Sequence, residues 1–216
     1  MAMKTKQMDF WAGQFGKEYT DRNPQSLEEC ERVNKKRYGF TRTELNEEFL
    51  GDLDRNIKVL EVGCNIGIQL QALQNAGFKN LYGIELQGYA VEKSKEITKG
   101  INIIQGSGFD IPFKDNFFDL VYTSGVLIHI SPQDLPGIMK EIIRCSNKYI
   151  WGFEYYAADL TDINYRGNQG YMWKGDYPSI YIKYFPELSL VKKKIYPYLI
   201  EGENGNEDVM YLLEKK

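Results

Sequence analysis

The chain has 216 residues with a formal net charge of −3, and 43% of it is hydrophobic, enough for one domain with a full-sized core. The mildly acidic balance argues against broad nucleic-acid binding, which leaves a basic footprint, and the block Lys192-Lys193-Lys194 reads as a solvated strand edge. Cys30, Cys64 and Cys145 are too few and too scattered for a disulfide framework or a zinc site, so no metal is expected. With no leader-like start and no apolar run near the ~20 residues of a membrane span, the expectation is a cytoplasmic protein without membrane insertion.

In chain order, residues 1–26 are aromatic and polar, and Asp21-Arg22-Asn23-Pro24 acts as a stop. Ser26-Leu27-Glu28-Glu29 reads as a capping box that opens a helix to about Tyr38, where Gly39 breaks it. Thr41-Arg42-Thr43-Glu44 starts a second helix toward Leu50, so residues 1–50 read as an amino-terminal helical cap. Strands are predicted near 57–62, 80–84, 101–104, 118–124 and 149–155, with helices near 66–76, 88–98 and 132–144. The last of these helices opens on Ser131-Pro132, with proline in its first turn. Alternating strands and helices imply right-handed crossovers and a mostly parallel sheet with helices on both faces. Late strands near 188–196 and 207–213, with no helix between them, predict an antiparallel pair at one edge of a seven-stranded sheet. The whole of 1–216 reads as a single domain.

Chemistry concentrates where the first two strands end. Val59-Leu60-Glu61-Val62-Gly63-Cys64-Asn65-Ile66-Gly67 is a strand entering a glycine-bearing turn, and Leu81-Tyr82-Gly83-Ile84-Glu85 ends the second strand on a carboxylate. A tight turn admits a ligand close to backbone, and a carboxylate there accepts both hydroxyls of a ribose. A dinucleotide fingerprint needs glycine at its first, third and sixth positions. These hold Gly63, Asn65 and Ile68, and Glu61 would repel a pyrophosphate, so a nucleoside with a cationic or zwitterionic tail suits the corner better.

The pattern resembles motif I and its acidic partner in class I S-adenosylmethionine-dependent methyltransferases. The resemblance implies a Rossmann-like α/β fold and S-adenosyl-L-methionine as cofactor. Glu61 would orient the turn and face the methionine amino group. Gly63, Cys64, Asn65 and Gly67 would pass under the methionine, and Glu85, with Leu86 beside it, would hold the ribose. Gly106-Ser107-Gly108-Phe109-Asp110-Ile111-Pro112-Phe113 looks like the family's adenine-side loop, with Ser107, Gly108 and Phe109 at the base. Ser107 is a departure, because the family usually places an acidic residue there. Ser124, Gly125 and Val126, ending the fourth strand, would lie where cofactor and acceptor meet. In the cap, Tyr19 either covers the site or packs between helices, and Arg42 either binds the methionine carboxylate or is a surface residue of a first turn.

Phe10-Trp11-Ala12-Gly13-Gln14-Phe15-Gly16-Lys17-Glu18-Tyr19, Tyr38-Gly39-Phe40-Thr41-Arg42-Thr43-Glu44, Gly125-Val126-Leu127-Ile128-His129-Ile130 and Tyr165-Arg166-Gly167 narrow the resemblance. Over nearly the whole chain it is similar to the methylases associated with pseudaminic acid biosynthesis. That implies methyl transfer to oxygen or nitrogen of a small polar acceptor in surface-glycan or nucleotide-sugar biosynthesis. The acceptor partner would be a nucleotide-activated sugar or a phosphorylated metabolite. Two alternatives stand beside it: a non-sugar acceptor such as an amino acid, amine or phosphoryl group, and a cofactor-binding protein without catalysis.

Residues 156–180 follow the fifth strand as a long aromatic and glycine-bearing loop. It reads as an acceptor lid, or else as a loop that only packs over the sheet. Its candidate substrate-binding residues are Tyr156, Tyr165, Arg166 and Lys174. For the catalytic base, His129 is the first candidate, with helix capping or packing as its other role. Glu154 is the second, or else an anchor for an acceptor amine.

Overall fold

The computed structural model describes residues 4–203 and 205–216. Five strands run parallel: β1 (Lys58–Val62), β2 (Asn80–Glu85), β3 (Asn102–Gln105), β4 (Phe118–Ser124) and β5 (Ser146–Tyr155). With β8 (Leu188–Pro197) and β9 (Glu207–Lys215) they form a seven-stranded sheet in the order β3-β2-β1-β4-β5-β9-β8. The expected antiparallel edge takes a specific form. β9 alone is reversed, inserted between β5 and β8 and antiparallel to both.

The order steps outward from β1 in one direction through β2 and β3, then restarts on its other side with β4. Loops after β1 and β4 therefore diverge, and a crevice opens above the carboxyl ends of the strands. Five residues of β1 and seven of β4 are nearly all buried, as strands covered on both faces must be.

One face is covered by α3 (Leu27–Tyr38), α4 (Arg42–Leu50) and α5 (Ile68–Asn75), whose Tyr38, Leu45, Phe49, Leu70 and Leu73 pack with Leu120, Tyr122 and Trp151 of the sheet. On the other face, α7 (Leu135–Cys145) and α8 (Tyr177–Tyr184) bring Ile138, Met139, Ile142, Tyr177 and Tyr181 against Leu60, Val121 and Ile150. α6 (Gly88–Ile97) follows β2. Among the described residues, no helix is long and apolar enough to cross a membrane.

Capping explains where these helices begin. Ser26 Oγ accepts from the Glu29 amide, but the Glu29 carboxylate accepts from Gln25 N rather than from the Ser26 amide. The complete capping box is the next one, with Thr41 and Glu44 satisfying each other's amides. α3 ends where Gly39 takes a left-handed φ of 79°. α7 starts at Leu135, later than expected, because Ser131 and Asp134 close a turn first and Pro136 occupies the first helical turn.

The amino-terminal segment, read from sequence only as aromatic and polar, holds two short helices, α1 (Lys6–Ala12) and α2 (Gln14–Arg22). Residues 1–3 of the expected cap lie outside the described residues. Within 156–180, β6 (Thr161–Asp162) and β7 (Trp173–Lys174) pair as a small antiparallel ribbon, and α8 begins at Tyr177.

Candidate active site

A cavity of about 620 Å³ opens above the ends of β1, β2 and β4, within the ~300–1,000 Å³ typical of small-molecule sites. Its floor is the turn from β1 to α5. Gly63 and Gly67 there have φ of 76° and 85°, and Asn65 shares the left-handed region at 49°. A Cβ on Gly63 would stand 2.6 Å from Val126 Cγ2, so glycine is required by both conformation and space. Cys64 is buried beneath the turn.

Glu85 is aimed by backbone. Its Oε2 accepts from Asn65 N at 2.8 Å and its Oε1 from Gln87 N at 2.7 Å. Burial raises its pKa, opposed by those amides. Leu86 lines the cavity beside it. Ser107, Gly108 and Phe109 form the next wall. Ser107 Oγ accepts from the Phe109 amide, so its hydroxyl oxygen already serves the loop's own turn. A Cβ on Gly108 would come within 2.9 Å of Val62 and Ile138, which seats that loop tightly on the sheet.

At the inner end sits Glu61, 2% exposed, accepting from Tyr122 Oη at 2.9 Å. Desolvation pushes its pKa up to about 8, with the Tyr122 hydrogen bond and the Arg42 charge pulling the other way. Arg42 lines the same cavity from α4 and is buried, not a surface residue. Its guanidinium lies 4.4 Å from the Phe153 ring, and its Nε and Nη1 have no hydrogen-bond partner among the described residues. Buried donors of this kind are costly to leave unpaired and fit an incoming carboxylate. Tyr19 also faces the cavity, edge-on to Trp11 with centroids 5.0 Å apart.

Ser124, Gly125 and Val126 continue the wall from the end of β4. A 3₁₀ turn over Leu127–His129 follows, carrying His129 to the cavity at 8% exposure. Its Nδ1 lies 2.9 Å from the Tyr171 carbonyl oxygen. Burial lowers its pKa to about 4, with that carbonyl opposing. Trp11 and Tyr165 flank the imidazole, with centroids at 4.3 and 5.2 Å.

Glu154 is brought close to this turn but not to the cavity. It is 1% exposed, and its carboxylate accepts from the amides of Val126 at 3.2 Å and Ile128 at 3.4 Å. Burial raises its pKa to about 7. It holds the turn that carries His129 and does not line the cavity, which places it apart from both of the roles expected for it.

The lid residues divide in the same way. Tyr165 and Arg166 line the cavity, Arg166 at a left-handed φ of 51° in the tip between Tyr165 and Asn168. Tyr156 packs into the core with Lys193 over its ring, away from the cavity. Lys174 faces a second chamber of about 300 Å³, hydrogen-bonded to Asn206. Sequence reasoning passed over Trp11, Arg37 and Asp208, all of which line the main cavity.

Residues 60–149 match the family model described as "Methyltransferase domain". This stretch is similar to a methyltransferase domain. It contains the turn, Glu85, the Ser107 loop and His129, and S-adenosylmethionine is the cofactor of this class. Over 98 residues the chain is 28% identical to a sterol 24-C-methyltransferase of Aspergillus fumigatus, covering 43% of this chain and 26% of that protein. It thus spans about a quarter of that relative's length. An S-adenosylmethionine-dependent methyltransferase of Leishmania major superposes with a TM-score of 0.70 at 16% identity, over 98% of this chain and 87% of that one. One of Methanosarcina mazei gives 0.62 at 13%, over 76% and 95%. At such identities the two structures speak for the methyltransferase fold.

The residues fit the cofactor. The glycine turn admits a chain at close range, Glu85 presents its carboxylate beside it, and Glu61 and Arg42, whose Nε and Nη1 lack partners among the described residues, offer an acid and a cation to a zwitterionic tail.

Proposed function

We propose that this protein transfers a methyl group from S-adenosylmethionine to an oxygen or nitrogen of a small polar acceptor. A nucleotide-activated sugar or a phosphorylated metabolite of surface-glycan biosynthesis is the first acceptor class to test. One observation carries the reading: a neutral, buried imidazole stands in the cavity with its Nδ1 engaged by the Tyr171 carbonyl. A carbonyl only accepts, so Nδ1 bears the proton and Nε2 keeps the lone pair.

The bound cofactor supplies a methyl already activated on a sulfonium, so the protein's part is alignment, exclusion of water and management of one proton. Glu85 binds the ribose, Glu61 the ammonium, and Arg42 the carboxylate. Trp11, Tyr19 and Tyr165 close the cavity against water. His129 Nε2 takes the proton of a hydroxyl acceptor. A base held this weak takes it only as methyl transfer acidifies the acceptor.

The polar acceptor side distinguishes this cavity from one suited to an apolar sterol, the substrate class in the name of the A. fumigatus relative. Tyr155, Arg37, Asp208 and Arg166 line it. The test is a mass-spectrometric screen for methyl transfer from S-adenosylmethionine to nucleotide sugars, amino sugars, phosphorylated metabolites and amino acids. A methylated sugar or sugar phosphate supports the reading. Methylation confined to amino acids or amines replaces the acceptor, and cofactor binding with no product across the panel favours the non-catalytic alternative.

A further inference from the structure

Four arginines line the main cavity, Arg22, Arg37, Arg42 and Arg166, facing three carboxylates, those of Glu61, Glu85 and Asp208. The carboxylates are already engaged: Glu61 by Tyr122, Glu85 by two amides, and Asp208 by the hydroxyls of Tyr38 and Tyr198. The ion-paired arginines among the described residues are others, Arg32, Arg55 and Arg144. By formal count, four guanidinium groups against three carboxylates leave the lining with an excess of one positive charge. The cofactor brings a single carboxylate, and Arg42 suits it.

Arg22 stands over the rings of Phe15 and Tyr19, and Arg166 is exposed at the loop tip. Arg37 is different. It sits half-buried in the last turn of α3, with its guanidinium 4.9 Å from the Tyr198 ring and its buried Nε unpartnered among the described residues. Its carbonyl accepts from Leu199 N at 2.7 Å, which fixes the end of α3 to the segment after β8. Together with Tyr155 and Met172, it lines both the main cavity and the second chamber.

We propose that Arg37 is an anion seat for the methyl acceptor, binding a phosphate or carboxylate group that the acceptor carries. This deepens the proposed function and rests on it for the identity of the ligand as acceptor. Asp208 forms no salt bridge with Arg37 among the described residues, and its oxygens accept from the hydroxyls of Tyr38 and Tyr198. Lys174 adds a second positive group in the smaller chamber, while Glu203 and Glu207 line that chamber too. The anion therefore sits at Arg37, where the two chambers meet, and not beyond it. Such placement leaves the acceptor's uncharged part to reach toward His129 among Tyr155, Tyr165 and Met172.

The test titrates the 216-residue chain with inorganic phosphate by calorimetry at fixed ionic strength, with and without saturating S-adenosylhomocysteine. Wild type, Arg37→Gln, Arg37→Lys and Arg42→Gln are compared. Phosphate is expected to bind wild type in both conditions, and Arg37→Gln to weaken it about tenfold or more, as loss of a charge-assisted hydrogen bond implies. Arg37→Lys keeps the charge and restores part of the affinity, which separates an anion seat from a folding defect. Arg42→Gln weakens S-adenosylhomocysteine and leaves phosphate bound in its presence. Phosphate binding that is absent in wild type, or unchanged in Arg37→Gln, overturns the proposal. So does a loss of S-adenosylhomocysteine affinity in Arg37→Gln as large as that in Arg42→Gln. Failure of wild type to bind S-adenosylhomocysteine refutes the cofactor reading instead, and the titrations without it still decide the anion seat.

Discussion

The imidazole of His129 and the backbone carbonyl of Tyr171 meet at 2.9 Å, joining the 3₁₀ turn after β4 to the segment just before β7. This contact sets the tautomer of the only histidine in the chain and makes the loop after β5 part of the support of the proposed base.

His129→Ala is expected to slow transfer to a neutral acceptor by about 10²–10⁴-fold, the usual contribution of a general base, with little change in cofactor affinity. Single-turnover kinetics alongside a cofactor titration check this. Turnover equal to wild type removes His129 from the chemistry.

His129 also has a signature in stability. Its folded pKa of about 4 lies below its ordinary 6.5, so the unfolded chain takes up this proton first as pH falls. Stability from this group is complete above about pH 6.5 and is lost toward pH 4, by on the order of 3 kcal/mol at most. Denaturant midpoints of wild type and His129→Asn, compared across that window, should converge as the solution becomes more acidic.

Glu61 carries a different pH effect. With its pKa near 8 through burial, it is mostly protonated at neutral pH before a cation arrives. Pairing with the cofactor ammonium requires the carboxylate, so binding expels a proton below pH 8 and tightens as pH rises toward it. Calorimetric enthalpies in buffers of different ionisation heat should reveal the proton, and Glu61→Gln should abolish the dependence.

At Glu85, two amides and the expected ribose share one carboxylate. Glu85→Ala should weaken cofactor binding and cost about 1–3 kcal/mol of stability, because both amides lose a buried partner. Unchanged affinity for S-adenosylhomocysteine would place the ribose elsewhere.

Glu154→Gln separates support from catalysis. The amide can accept at only one of the two positions, so the turn bearing His129 loosens and thermal stability falls. The pH profile of the residual turnover should keep its shape. A lost ionisation limb would return Glu154 to the role of base.

What the sequence disclosed follows from how local each signal is. The strands of the sheet and the glycine turn were legible because apolar runs, caps and left-handed glycines are written within a few neighbouring residues. Helices α1 and α2 were missed because they are short and their aromatic residues pack on Tyr165, Tyr171 and His129, far along the chain. Arg37 looked like an ordinary basic residue in a last helical turn. Its surroundings come from Tyr155, Tyr198 and Asp208, which only the sheet brings together. Lys174 and Tyr156 were placed in the site by their membership of one loop, but the β6–β7 ribbon and the core turn them away from it. Glu154 ends a strand beside the site, and its partners are amides of the next loop.

Gln87 follows Glu85 by two positions, and its side-chain amide donates to the carbonyls of Trp11, Ala12 and Gly13 at 3.3, 2.9 and 2.8 Å. The latch between the nucleoside corner and the amino-terminal helices is therefore read from main-chain oxygens, indifferent to which side chains occupy positions 11–13. Evolution or design can vary the inner surface of that covering, and with it the molecule admitted beneath, without touching the fastening. A change at position 87 removes these three bonds and leaves Asp21, held by Tyr89 and Lys93, as a remaining polar tie to the same helices.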